Sequence, residues 1–136
     1  MDTRTIADII QSASSKLIAP DGIELSLHLA ISEFSEVLEA RVSLPSQRAR
    51  AYNGIGYAYY QLGMFDKALE ELEKAIGFNP KLAAVYVNKA AVYNEMGKFN
   101  EALHELEIAE NLRHAMPNIY ALRGDAYRCL GREEEA

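Results

Sequence analysis

Apolar side chains fall at three- and four-residue intervals along most of this chain, the spacing that gathers them on one face of an α-helix. In residues 3–18 they are Ile6, Ile9, Ile10, Ala13 and Leu17; in residues 23–42 they are Leu27, Ala30, Ile31, Phe34, Val37 and Leu38. Each stretch predicts a helix with one buried stripe. Asp2 or Thr3 is expected to cap the first, because a short oxygen side chain accepts a free backbone N–H. Ala19-Pro20-Asp21-Gly22 ends it, and Leu44-Pro45-Ser46 marks the next break. Two further helices follow over residues 47–62 and 66–78, linked by Gly63-Met64-Phe65. Gly63 suits the left-handed conformation that ends many helices, Asp66 is expected to cap the second, and Glu70 is expected to pair with Lys74 one turn on. Gly97-Lys98-Phe99 and Asn100 repeat the linker, and another helix is predicted over residues 117–130.

From residue 49 onward the segments recur as copies. Tyr52, Tyr86 and Tyr120 lie thirty-four residues apart, as do Tyr59, Tyr93 and Tyr127, then Gly63, Gly97 and Gly131, and then Ala68, Ala102 and Ala136. Residues 49–82 and 83–116 share eleven identities in thirty-four positions. A fixed period of that length marks stacked helix pairs. Gly56, Ala90 and Gly124 are small where two helices must approach closely, with Ala68 and Ala102 opposite. Tyr52, Tyr59, Leu62, Leu69 and Leu72 are expected to fill the space between, as core before ligand cage.

These residues resemble the tetratricopeptide repeat, whose pattern runs Trp-x2-Leu-Gly-x2-Tyr, then Ala-x3-Phe, then Pro. The first copy offers Tyr52, Ile55, Gly56 and Tyr59, then Ala68 and Leu72, then Pro80; the second offers Tyr86, Ala90, Tyr93, Ala102, Leu106 and Ala109. The third offers Tyr120, Gly124, Tyr127 and Ala136. Tyrosine replaces the tryptophan throughout, His114 replaces the closing proline, and Glu133 stands where Phe65 and Phe99 stood. The resemblance implies an all-α, right-handed α-solenoid of antiparallel helix pairs. Repeats occupy residues 49–82, 83–116 and, in part, 117–136 within an array of residues 47–136. Residues 1–46 are then an N-terminal helical pair, read as a cap rather than a degenerate repeat.

Composition narrows the function. A net charge of −6, half of it from Glu133-Glu134-Glu135, speaks against nucleic acid, which favours a basic stripe. The single cysteine, Cys129, excludes an intramolecular disulfide and fits a reducing compartment. The N-terminal stretch has no apolar core for a signal peptide and no run is long enough for a bilayer, so a cytoplasmic protein with no membrane partner is expected.

Chemistry is scarce. His28, His104 and His114 lack a second ligand at metal spacing, and His104 with Glu107 makes only two groups. No phosphate-binding loop or nucleophile elbow occurs, and Cys129 has no base beside it and is expected to be partly buried. Glu101, Glu105, Glu107 and Glu110 are read as a solvated outer face. No catalysis, cofactor or metal is expected.

Comparing the copies column by column is more informative. Packing columns hold constant, whereas Asn53/Val87/Ala121, Gly54/Asn88/Leu122, Tyr57/Ala91/Asp125, Tyr60/Asn94/Arg128 and Gln61/Glu95/Cys129 vary completely. Asn53, Tyr57, Tyr60 and Gln61 share one helical stripe opposite the packing face. By the resemblance, that stripe lines a concave groove for a peptide or partner helix, with Val87, Asn88, Asn94, Glu95, Asp125 and Arg128 continuing it. The carboxylate clamp of this family needs lysines and an arginine; the matching positions here are Asn53, Tyr57, Asn88, Asn118 and Leu122, so only Asn88 fits and a clamp is not expected. The expected function is a non-catalytic adaptor or scaffold for a protein or peptide partner. The alternative is self-association, as a homodimer through a C-terminal face of Tyr120, Tyr127 and Leu130.

Overall fold

A computed structural model describes residues 4–17, 24–40, 43–112 and 117–131. Among them are seven helices and no strand: α1 (Ile6–Leu17), α2 (Glu24–Glu39), α3 (Pro45–Gln61), α4 (Phe65–Phe78), α5 (Ala83–Glu95), α6 (Phe99–Leu112) and α7 (Pro117–Cys129). They form consecutive helix pairs, distributed over two compact units, Met1–Pro80 and Lys81–Ala136.

In the first unit the predicted stripes meet. Ile9, Ile10 and Ala13 of α1, Ala30, Phe34 and Val37 of α2, and Ala51 and Ile55 of α3 form one buried cluster. Phe34 is fully buried and explains a glycine the column comparison misread. A Cβ on Gly54 would lie 2.2 Å from the Phe34 ring, so Gly54 is a packing residue. Gly56 is a close contact as expected, because its Cβ would come within 2.8 Å of Leu72 and 3.2 Å of the Ala68 carbonyl. A side chain at either glycine overpacks the helix contact, at about 1–3 kcal/mol.

Charges reinforce this apolar seam. Lys16 pairs with Glu33, and Arg4 reaches both Glu33 and Glu36, at 3.1 and 3.2 Å, tying α1 to α2. Arg48 of α3 donates to the Leu38 and Ala40 carbonyls, at 3.0 and 3.2 Å. Its guanidinium thereby satisfies carbonyls that the end of α2 leaves without helical partners.

In the second unit α5 is buried on most sides, through Ala83, Val85, Tyr86, Val87, Lys89, Ala90 and Val92. Ala102, Leu106 and Ala109 of α6 and Ile119 and Ala126 of α7 complete the core. α7 packs against both α5 and α6, and α3 packs against both α1 and α2 in the same way. The N-terminal pair therefore covers α3 as a repeat would, although it carries none of the repeat's glycine and tyrosine landmarks.

Gly63, Gly97 and Gly131 all have positive φ, of 78°, 78° and 72°. The Met64 and Gly63 amides donate to the Tyr59 and Tyr60 carbonyls, and Lys98 and Gly97 repeat this onto Tyr93 and Asn94. These paired bonds are Schellman closures, which need a left-handed residue after the helix.

Several local expectations are corrected. Asp2, Thr3 and the Ala19-Pro20-Asp21-Gly22 break lie outside the described residues; the first helix is capped by Thr5, whose hydroxyl accepts from the Asp8 amide while the Asp8 carboxylate accepts from Thr5. Asp66 is not a cap. Met64 takes that position without a side-chain bond, and Asp66 sits in the first turn, where its charge favours the helix dipole. Pro45 opens α3 instead of breaking before it, since a proline's missing N–H costs nothing in the first turn. Lys74 pairs with Glu71, at 3.2 Å, rather than with Glu70. Glu105 is buried against Lys89, at 3.1 Å, and Glu110 pairs with Arg123, so the predicted acidic face keeps only Glu101 and Glu107 exposed. Gly124 has no close helix neighbour among the described residues, and Cys129 is exposed.

Candidate functional site

α3 buries Ala49, Ala51, Gly54, Ile55, Gly56 and Ala58, which commits most of its circumference to α1, α2 and α4. The remaining stripe carries Asn53, Tyr57 and Tyr60, half-buried, and Gln61, exposed. The structure brings the last three together. The Tyr57 and Tyr60 rings are 5.9 Å apart at a 42° tilt, and Tyr60 lies 6.3 Å from Phe65 at the same tilt. Tilted rings at these separations attract through their quadrupoles, so the three form one aromatic strip. Gln61 Nε2 donates to the Tyr57 hydroxyl at 2.8 Å, leaving that hydroxyl its own hydrogen to donate. Phe65 is not among the expected stripe residues; its place two residues after the turn glycine in both copies, Phe65 and Phe99, is the signal that points to it.

Beside this strip is an open pocket of about 350 Å³, lined by Glu24, Leu27 and His28 at the start of α2 and by Gln61, Leu62 and Met64 at the end of α3. Gln61 belongs to both features. Buried Leu27, half-buried Leu62 and exposed Met64 supply the apolar part of the lining, and Gln61 with Glu24 and His28, 3.5 Å apart, supplies the polar part.

The expected positions in the second unit fare unequally. Asn88 is half-buried and Glu95 exposed, whereas Val87 is only 5 % exposed and joins the core. Asn94 is half-buried, and its amide donates to the Leu122 carbonyl at 3.1 Å, which ties α5 to α7. Asp125 and Arg128 are both exposed and pair with each other. Of the C-terminal face, Tyr120 is 59 % exposed with Arg123 over its ring, while Tyr127 and Leu130 are half-buried.

The polar interior of this unit holds what the column comparison missed. Lys89 and Glu105 side chains are 9 % and 10 % exposed, and Lys89 also lies 5.9 Å from the Tyr93 ring. Lys89 occupies the column of buried Ile55, and a lysine in a core column needs a carboxylate opposite it. Among the described residues no group of three histidine, cysteine, aspartate or glutamate side chains is placed to hold a metal ion. No described helix is long and apolar enough to cross a membrane.

Comparison with known proteins agrees with this architecture. No curated protein matches the sequence. Two crystal structures of MamA are similar, each with a TM-score of 0.67 and 21 % identity over 96 % of this chain, covering 76 % and 81 % of theirs. A MamA mutant aligns over the whole of this chain and 75 % of its own, with a TM-score of 0.64 and 19 % identity. The family model of the tetratricopeptide repeat matches residues 49–82, the stretch that holds the aromatic strip. The thirty-four-residue period and the paired helices agree with these matches: residues 49–82 are a tetratricopeptide repeat, and the fold is of that all-α, helix-pair class.

Proposed function

We propose that this chain is a non-catalytic protein–protein interaction module whose α3 stripe takes a peptide or partner helix. The observation that carries this reading is the strip of Tyr57, Tyr60 and Phe65 with its hydrogen-bonded Gln61. Tyrosine supplies apolar contact area with few rotatable bonds to order, and its hydroxyl reads a peptide carbonyl.

Tyr57→Ala/Tyr60→Ala is expected to weaken peptide binding at least about tenfold, the scale of losing one aromatic anchor, with helicity retained. Glu101→Ala and Glu107→Ala, on the exposed side of α6, should leave affinity unchanged. Calorimetric titration with a selected peptide checks both. Binding that survives the tyrosine pair and fails with the α6 changes moves the site to the outer helices.

The exposure of Tyr120 favours a second reading, a homodimer through α7. It predicts a sedimentation coefficient that rises with concentration and that Tyr120→Glu/Leu130→Glu abolishes. A concentration-independent monomer for the parent rejects it.

A further inference from the structure

Resting on the peptide-binding reading, we infer that the α2–α3 pocket selects a peptide with a lysine or arginine side chain as its anchor. The pocket has the form such a side chain needs. Long cationic side chains lay an aliphatic stem on apolar surface and hold the charged head in a polar, hydrated place. Leu27, Leu62 and Met64 supply the apolar wall, and Glu24 supplies a carboxylate at the rim, 77 % exposed and therefore hydrated. The volume of about 350 Å³ accommodates one long side chain with water beside it.

The electrostatics agree. α3 ends at the pocket, and the carbonyl end of a helix carries partial negative charge that favours cations. The opposite bias at the start of α2 is offset by Glu24, which lies in that helix's first turn. Among the described residues no lysine or arginine lines the pocket, and none lies among Asn53, Tyr57, Tyr60 and Gln61, so a ligand lysine or arginine meets neither on the strip. Gln61 connects the two features: it lines the pocket while its amide nitrogen engages Tyr57, which leaves the Tyr57 hydrogen for a peptide carbonyl next to the anchor. The ligand is thus an extended segment, its backbone along Tyr57 and Tyr60 and its basic side chain turned toward Glu24.

A random decapeptide library displayed on phage, selected against the 136-residue protein, tests this directly. Lysine or arginine should dominate one fixed position of the selected peptides. Synthetic peptides with that position changed to norleucine should bind about tenfold more weakly, the scale of losing one charge-assisted hydrogen bond. Glu24→Lys should reverse the preference, selecting aspartate or glutamate there, and circular dichroism should show an unchanged fold because Glu24 is exposed. Selected peptides with no basic position, or a basic preference that Glu24→Lys leaves intact, overturn the inference. If those peptides still lose affinity with Tyr57→Ala/Tyr60→Ala, the interaction module stands and only its anchor is wrong. If no peptide is selected at all, both readings fall.

Discussion

A single substitution between repeat copies explains the least expected feature of the second unit. Where the first copy buries Ile55, the second buries Lys89, and Glu105 faces it from α6 at 3.1 Å. Removing two charges from water costs more than a single salt bridge readily returns, and here one oxygen, Glu105 Oε2, has no hydrogen-bond partner. Such a pair is weakly stabilising as a pair and strongly destabilising when halved. Lys89→Met is therefore expected to lower unfolding free energy by about 3–5 kcal/mol, because the Glu105 carboxylate stays buried without its ammonium. Lys89→Ile/Glu105→Leu, which gives position 89 the first copy's isoleucine and removes the facing carboxylate with the lysine, should recover that loss or exceed the parent. Urea denaturation of the three proteins checks this, and equal loss in the single and double variants would show that the pair contributes in its own right. Reading the sequence alone placed Glu105 with Glu101, Glu107 and Glu110 on one solvated acidic face. Recurrence does not separate them: Glu71 and Glu105 share a column, and so do the exposed Glu73 and Glu107. The lysine in a core column was the readable sign.

At the scale of helices, periodicity and turn chemistry were legible, while contacts between segments distant in sequence were not. The helices placed over residues 3–18, 23–42, 47–62, 66–78 and 117–130 are found within a few residues of those bounds, because an apolar stripe at three and four residues buries as a helix face. The three turn glycines were equally readable, since a left-handed residue after a helix strongly favours glycine. Phe34 against Gly54 was not, although both residues were in view. The glycine's column reads Gly, Asn, Leu, and variation looked like freedom from packing; it reflects instead a different neighbour for each copy. The fork of Arg48 on the end of α2 was hidden for the same reason, as its acceptors are backbone carbonyls and leave no trace in residue type. The candidate site was half legible. The stripe spacing of Tyr57, Tyr60 and Gln61 follows from helix geometry, but the pocket beside it depends on which part of α2 meets the end of α3, and only packing decides that.

For the whole molecule, the charges whose proton affinity the fold alters set the dependence of stability on pH. Burial alone would raise Glu33, but hydrogen bonds from Lys16 and Ser12, the Lys16 charge and Arg4 together hold it below the ordinary glutamate value of 4.5. Asp8 is held below 3.8 by the backbone and then the hydroxyl of Thr5, with Arg4 adding a smaller attraction against slight desolvation. Both carboxylates bind protons more weakly in the folded chain than in the unfolded one. Their stabilisation is therefore complete above the unfolded values and is lost as the pH falls through the lowered folded values. Lys74 runs the other way: its hydrogen bond and charge pairing with Glu71 raise it above 10.5, so its contribution is present below that value and lost as the pH rises through the raised one. From these three groups, stability should be level between pH 4.5 and 10.5 and should fall on both sides. The acid side is expected to be the steeper, because Glu33 is mostly buried and holds two cations, whereas Lys74 is half-exposed and solvent screens its pair. Glu33→Gln should lower the melting temperature at neutral pH and shrink its difference from the parent as the pH falls through the lowered Glu33 value, where the parent's own carboxyl becomes protonated. Lys74→Met should leave the acid side unchanged. Melting temperatures recorded from pH 2 to 11 decide it: an acid-side difference between parent and Glu33→Gln that stays constant down to pH 2 would mean that Glu33 stabilises by packing, not by its charge.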